Sequence, residues 1–169
     1  LGAGSRVMKH QERSVSDIAK KAGTTHTRAK LLYRLTNYFK PDNILELGTS
    51  LGIATHAMHS GNLKSHITSI EGCPSTSAFS KKQLKIQDAE HITIVTGDFN
   101  NEIEKLSSKS YDLIFFDGNH QKEATLKYFE MVLKTANNDS VFIFDDIYWS
   151  EGMTEAWEII KEHPKVTVT

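Results

Sequence analysis

The sequence predicts an α/β fold, a mostly parallel, doubly wound sheet with helices on both faces, preceded by N-terminal helices. Three observations carry this. Short apolar segments recur at residues 44–47, 66–70, 92–95, 112–116 and 140–144, each rich in Ile, Val, Leu or Phe. Segments of helical periodicity fill the gaps between them. Acids and glycines gather at the carboxyl ends of the apolar segments, where ligands of open α/β sheets bind. Near-continuous apolar strands are buried on both faces, as in a parallel sheet covered by crossover helices.

Taken in order, residues 14–22 and 25–39 read as helices. In the second, Leu31, Leu32, Leu35, Tyr38 and Phe39 form an apolar stripe at helical spacing, and Lys40-Pro41-Asp42-Asn43 breaks it. A helix over 75–89 has a thin apolar face in Ala78, Phe79 and Ile86, with Pro74 placed for its first turn. Ala124, Tyr128, Val132 and Leu133 pattern a later helix, and Met153, Ala156, Trp157 and Ile160 pattern the last. Residues 1–169 are expected to form a single domain. Leu1 in place of Met and a strand-like ending, Val166-Thr167-Val168-Thr169, suggest a chain shortened at its C-terminus and at its N-terminus. Gly2-Ala3-Gly4-Ser5 lacks a preceding strand and is not expected to hold a ligand.

Composition narrows the class. The chain has 169 residues, 38% hydrophobic and 24% charged, ordinary values for a globular domain. A formal net charge of −1 gives no basic surface for nucleic acid. The single cysteine, Cys73, excludes an intramolecular disulfide and suits a reducing, cytoplasmic setting; it reads as a small buried residue. No apolar run reaches membrane-spanning length and no signal peptide is visible. A homodimer is compatible with the sequence, which does not fix the oligomeric state.

The most specific motif is residues 44–52, Ile-Leu-Glu-Leu-Gly-Thr-Ser-Leu-Gly. It reads as a buried strand feeding a glycine-permitted loop that opens a helix, so that a nucleotide-like ligand can approach bare backbone. A second acid, Glu71, ends the next strand and can accept hydrogen bonds from both hydroxyls of a ribose. The spacing Gly48-x-x-x-Gly52 is not the G-x-G-x-x-G of a dinucleotide loop. It suits an adenosyl ligand without pyrophosphate, whose ammonium group Glu46 could meet. A structural glycine turn in another α/β protein is the alternative. The segment resembles the first motif of the class I S-adenosylmethionine-dependent methyltransferases, which have a Rossmann-like fold.

A second constellation lies further on. The fourth strand ends in Asp117-Gly118-Asn119-His120 and the fifth in Asp145-Asp146. Carboxylates converging at neighbouring strand ends repel one another unless a cation sits among them or some are protonated. Oxygen ligands favour Mg²⁺, with Mn²⁺ or Ca²⁺ as substitutes. The alternative is that each aspartate caps the helix that follows. Residues 44–149 resemble the divalent-metal-dependent O-methyltransferases of the catechol and caffeoyl-coenzyme A type. The resemblance implies that Gly48, Ser50 and Gly52 line the methionine part of the cofactor, with Glu46 nearby and Glu71 on the ribose. It places Asp98 and Phe99 beside the adenine, Asp117 at the cofactor's edge, and Asp117, Asp145 and Asp146 on the metal. Asp146 stands where the catechol type has Asn, and His120 where it has a catalytic lysine. The D-G-N-H and D-D-I blocks also resemble an uncharacterised bacterial branch of the superfamily.

The expected chemistry is O-methylation of a small molecule, with Asp117 and His120 as catalytic groups. An imidazole titrates near neutral pH and can take the hydroxyl proton; a helix-start histidine exposed to solvent is the plainer reading of His120. Tyr148 and Trp149 could wall a hydrophobic acceptor or pack in the core. His56, His59, His66, His91 and His163 receive no role. Two rival readings are a non-catalytic module binding S-adenosylmethionine or S-adenosylhomocysteine, and a nicotinamide-dependent oxidoreductase.

Overall fold

The computed structural model describes residues 23–86 and 90–168, together with Ser16. The helix expected over 14–22 and the segment Gly2-Ala3-Gly4-Ser5 lie outside these residues, Ser16 apart. The described elements run α1 (His26–Phe39), β1 (Asn43–Leu47), α2 (Ile53–Gly61), β2 (His66–Glu71), α3 (Pro74–Ile86), β3 (Ile92–Thr96), α4 (Phe99–Lys105), β4 (Tyr111–Phe116), α5 (Lys122–Leu133), β5 (Ala136–Phe144) and α6 (Glu151–Lys161). The strands pair in the order β3-β2-β1-β4-β5, all in parallel. The chain therefore builds outward from β1 in one direction, then returns beside β1 to build in the other. The crevice between the carboxyl ends of β1 and β4 is the topological switch point.

Side chains alternate faces along each strand. Leu45 and Leu47 of β1, with Ile114 and Phe116 of β4, face a core closed by Ile103, Tyr128, Phe129, Val132 and Ile160 from α4, α5 and α6. Ile44, Leu113 and Phe115 face the other way, onto Leu32, Ala54 and Met58 from α1 and α2. Glu46 falls by this alternation on the α2 side. β5 begins at Ala136, four residues before the expected apolar run, because a register shift between Tyr111 and Leu113 lets Ala136 pair with Tyr111.

Two expected helix faces differ in detail. Of the α1 stripe only Leu32 is buried, joined by Thr36, whereas Leu31, Tyr38 and Phe39 are exposed. The reason is local: α1 meets α2 so closely that a narrow strip suffices. At Gly61 a Cβ would lie 2.5 Å from the Tyr33 carbonyl oxygen and 2.9 Å from the Thr36 side chain. In α3 the buried positions are Ser77, Ser80 and Leu84 rather than Ala78 and Phe79. The serines are satisfied locally, Ser77 with Thr96 and Ser80 by donating to the Ser50 carbonyl. A polar strip is tolerated there because each hydroxyl has a partner.

The α1–α2 contact yields a test. Gly61→Ala forces apart two backbones that nothing flexible separates, and should lower stability by about 1–3 kcal/mol. Urea denaturation of the two proteins measures it; an unchanged midpoint would refute the close packing.

Candidate functional site

The glycine loop follows β1 because its backbone demands it. Gly48 has φ +110°, and a Cβ there would sit 2.2 Å from the carbonyl oxygen of Asp117. No other residue fits this approach. The Gly48 and Thr49 amides donate to the Ile70 carbonyl, and the Asp117 amide to that of Leu47 (2.9 Å). These bonds lock the ends of β1, β2 and β4 together. Gly52, at φ +79°, opens α2 and presses its bare α-carbon against Leu84.

Beneath this loop lies a buried polar cluster. Glu46 is fully buried; its Oε2 accepts from Thr55 (2.5 Å) and Ser69 (2.6 Å), and Ser69 also meets Thr49 (2.5 Å). Among the described residues its Oε1 has no hydrogen-bond partner. Burial pushes the Glu46 carboxyl up from 4.5 to about 7, against the two hydroxyls that favour its charge. Glu71, half-buried at the end of β2, accepts the Ser50 amide on Oε2 (2.9 Å) and the Cys73 amide on Oε1 (2.8 Å). It thus ties the loops after β1 and β2 to each other. Ser50 itself is held at φ 47°. A cradle of bare backbone, a carboxylate at each of two adjacent strand ends and an orphaned buried oxygen fit an adenosyl cofactor bearing an ammonium group. Cys73 is half-buried; burial pushes its thiol up, but hydrogen bonds with Ser75 and Thr76 together outweigh this and bring it down to about 7.

Asp98 and Phe99 sit after β3. Asp98 is exposed and caps α4, accepting the Asn100 amide at 2.9 Å. Phe99 turns inward, its ring edge-on to Tyr128 and close to Gly118. The Asn119 amide donates to the Tyr128 hydroxyl at 3.1 Å, which links this wall to the next loop.

The second group lies across the crevice. His120 Nε2 stands 3.9 Å from Asp117 Oδ1 and 3.7 Å from Asp146 Oδ2. Asp117, His120 and Asp146 can each present one ligand atom, all within 4.8 Å of one another. Two carboxylates and an imidazole suit a divalent cation. Asp145, expected in this group, is turned away: its Oδ2 meets Arg28 Nη1 and Asp146 Oδ1 meets Arg28 Nη2, both at 3.0 Å. None of the three aspartates caps a helix. Ser150 caps α6, and α5 starts at Gln121 without a side-chain cap. Asn119 and Asp146 both have positive φ, at 51° and 54°. Such backbone is held against its preference and clusters at sites of function.

Electrostatics sharpen the picture. Burial raises the Asp117 carboxyl well above the ordinary range, and Asp145, Glu46 and Asp146 push the same way; Arg28 opposes them. Burial lowers the His120 imidazole despite the nearby aspartates, so it is neutral near pH 7 and can accept a proton. It is not the solvent-exposed helix-start histidine of the plainer reading. Trp149 stands with its ring 6.5 Å from that of His120, and both Tyr148 and Trp149 are exposed, so neither packs in the core.

Arg28 escaped the sequence reading. Its one local signal is a cation in the first turn of α1, where the helix dipole disfavours positive charge. Thr55, Ser69 and Thr49 were likewise unread, since small hydroxyls at those spacings are ordinary. A separate cavity of about 370 Å³ opens at the opposite strand ends, between His66, His91 and Tyr111; none of the residues above lines it. Among the described residues no helix is long and apolar enough to cross a membrane.

Comparison with known proteins points the same way. A family profile described as a methyltransferase domain matches residues 45–147. No curated protein matches the chain. Among solved structures, an O-methyltransferase from Bacillus cereus in complex with S-adenosylhomocysteine superposes with TM-score 0.78 at 21% identity, over 92% of this chain and 80% of that one. The S-adenosylhomocysteine-bound methyltransferase PaMTH1 of Podospora anserina gives 0.78 at 20%, over 86% and 73%. The O-methyltransferase TomG of Streptomyces achromogenes, solved with S-adenosylmethionine, gives 0.74 at 17%, over 94% and 80%.

The buried Glu46 supplies a test of the site's electrostatics. Its folded pKa is raised, so the folded state binds the extra proton and the contribution of Glu46 to stability is greatest below about 4.5. That contribution falls as pH rises through about 7, by roughly 3 kcal/mol in all. The stability difference between wild type and Glu46→Gln should therefore shift in favour of the variant across pH 4.5–7. Parallel stability curves over that window would place the carboxyl in a better-solvated setting.

Proposed function

Because the chain belongs to the methyltransferase-domain family, we propose that it transfers a methyl group from S-adenosylmethionine to the oxygen of a small-molecule acceptor, with a divalent cation held beside the acceptor. The observation that carries this reading is the contact of Gly48 with Asp117. It sets the cofactor loop of β1 and the His120 group of β4 and β5 against one another across a single crevice.

Glu46, Gly48, Ser50, Gly52 and Glu71 form the cofactor side. Glu71 offers its carboxylate to the ribose hydroxyls, and the glycine loop presents backbone to the methionine part. Phe99 stands as an apolar wall where the adenine would lie, and Asp98 lies at its edge. S-adenosylmethionine would supply an electrophilic methyl carbon on a sulfonium. Transfer of that methyl to the acceptor oxygen would form a C–O bond, break the C–S bond and release the sulfur as a neutral thioether. Orientation accounts for much of the rate in such a displacement.

On the acceptor side, His120 takes the hydroxyl proton on its neutral imidazole. Asp146, 3.7 Å away, stabilises the imidazolium that results. A divalent ion held by aspartates of this cluster would lower the pKa of the acceptor hydroxyl and fix its direction. Trp149, exposed and 6.5 Å from the His120 ring, offers an aromatic border on that side, which favours a planar or otherwise apolar acceptor.

The test is a methyl-transfer screen over phenolic and other hydroxyl acceptors, with and without Mg²⁺. With an acceptor found, His120→Ala should lower turnover by about 10²-fold or more while cofactor affinity changes less than about twofold. Unaltered turnover would remove His120 from the mechanism.

A further inference from the structure

Arg28 occupies Asp145 and Asp146, the same carboxylates a divalent ion would use. Asp145 gives Oδ2 to Arg28 and Oδ1 to the Asp146 amide (2.8 Å), so its carboxylate is fully engaged outside the Asp117–His120–Asp146 group. Asp146 is divided, with Oδ1 on Arg28 and Oδ2 facing His120. Arg28 is thus the one cation in contact with the acid pair among the described residues. Nothing in its own helix favours it there. It lies in the first turn of α1, which has no acidic residue, and the N-terminal end of a helix repels positive charge. The two ion pairs hold it, and a side chain 47% exposed is held only modestly.

We propose that Arg28 selects the ligand set of the cation site. The inference rests on the divalent site proposed above. While the guanidinium is seated, the site offers two carboxylates and the His120 imidazole. Once Arg28 is released, Asp145 can join, and three carboxylates suffice without the imidazole. With three carboxylates on the ion, His120 stays free for the part given to it above. Arg28 thereby decides whether His120 or Asp145 completes the ligand set. Its place on α1 couples that choice to how the first turn of this helix sits over the acid pair.

The test reads cation binding rather than turnover. Free Mn²⁺ is followed by electron paramagnetic resonance during titration of wild type, Arg28→Gln, Arg34→Gln and the Arg28→Gln/Asp145→Asn double variant. Arg34 lies on the exposed side of the same helix and controls for loss of a positive charge at a distance. Arg28→Gln should bind Mn²⁺ about tenfold more tightly than wild type, Arg34→Gln within about twofold, and the double variant should lose the gain. Arg28→Lys keeps the charge but lacks the two-pronged geometry, and should recover part of the gain. Equal affinity of wild type and Arg28→Gln overturns the proposal and leaves the cation site standing, as does an equal gain in Arg34→Gln. No Mn²⁺ uptake by any variant overturns both.

Discussion

The site depends on one close approach, that of the Gly48 α-carbon to the Asp117 carbonyl where the sheet changes direction. With a side chain at residue 48 the ends of β1 and β4 could not pair as they do, since a Cβ would lie 2.2 Å from that oxygen. The pairing brings together two loops that the sequence separates by about seventy residues. Everything chemical in the molecule follows from that meeting. Glu46 is buried below it, Glu71 braces it from β2, and His120 rises from its far side. A parallel sheet wound in two directions has one such crevice, and here the acids, glycines and the partly buried imidazole all border it.

Charge is the second constraint. The crevice gathers Glu46, Asp117, Asp145 and Asp146, all buried or partly buried, an arrangement that cannot remain fully ionised without compensation. The protein meets this in three ways. Glu46 keeps its proton to about pH 7, two hydroxyls supporting its other oxygen. Arg28 bridges Asp145 and Asp146 from a distant helix. His120 stands between Asp117 and Asp146, neutral but ready to become a counter-ion on taking a proton. A site poised in this way responds strongly to any added cation, whether a metal ion or the sulfonium of a cofactor.

How much of this is legible in the sequence depends on whether the signal is local. The strands are, because alternation of short apolar runs with helical segments requires no knowledge of tertiary contacts. The glycine loop and Glu71 are, because a strand-end acid and a turn glycine have few other uses together. Aspartates at two strand ends can be expected near one another once the strands are placed. Their individual directions cannot, since these follow from Arg28, more than a hundred residues away. The exposed stripe of α1 is misread for a related reason. Periodicity reports which residues could be buried, whereas the 2.5 Å approach permitted by Gly61 decides how few need to be. In α3, burial of Ser77 and Ser80 defeats hydrophobic patterning outright, because their hydroxyls find partners on β3 and on the glycine loop.

The proposed adenosyl site in the crevice between β1, β2 and β4 rests on the glycine loop and Glu71. The most direct measurement is calorimetric titration of S-adenosylhomocysteine into wild type and Glu71→Gln, which keeps the size of the side chain and removes its charge. Saturable binding to wild type, weakened about tenfold or more in the variant, is the predicted result. A folded wild-type protein that does not bind, or one whose affinity is indifferent to Glu71→Gln, would contradict the account.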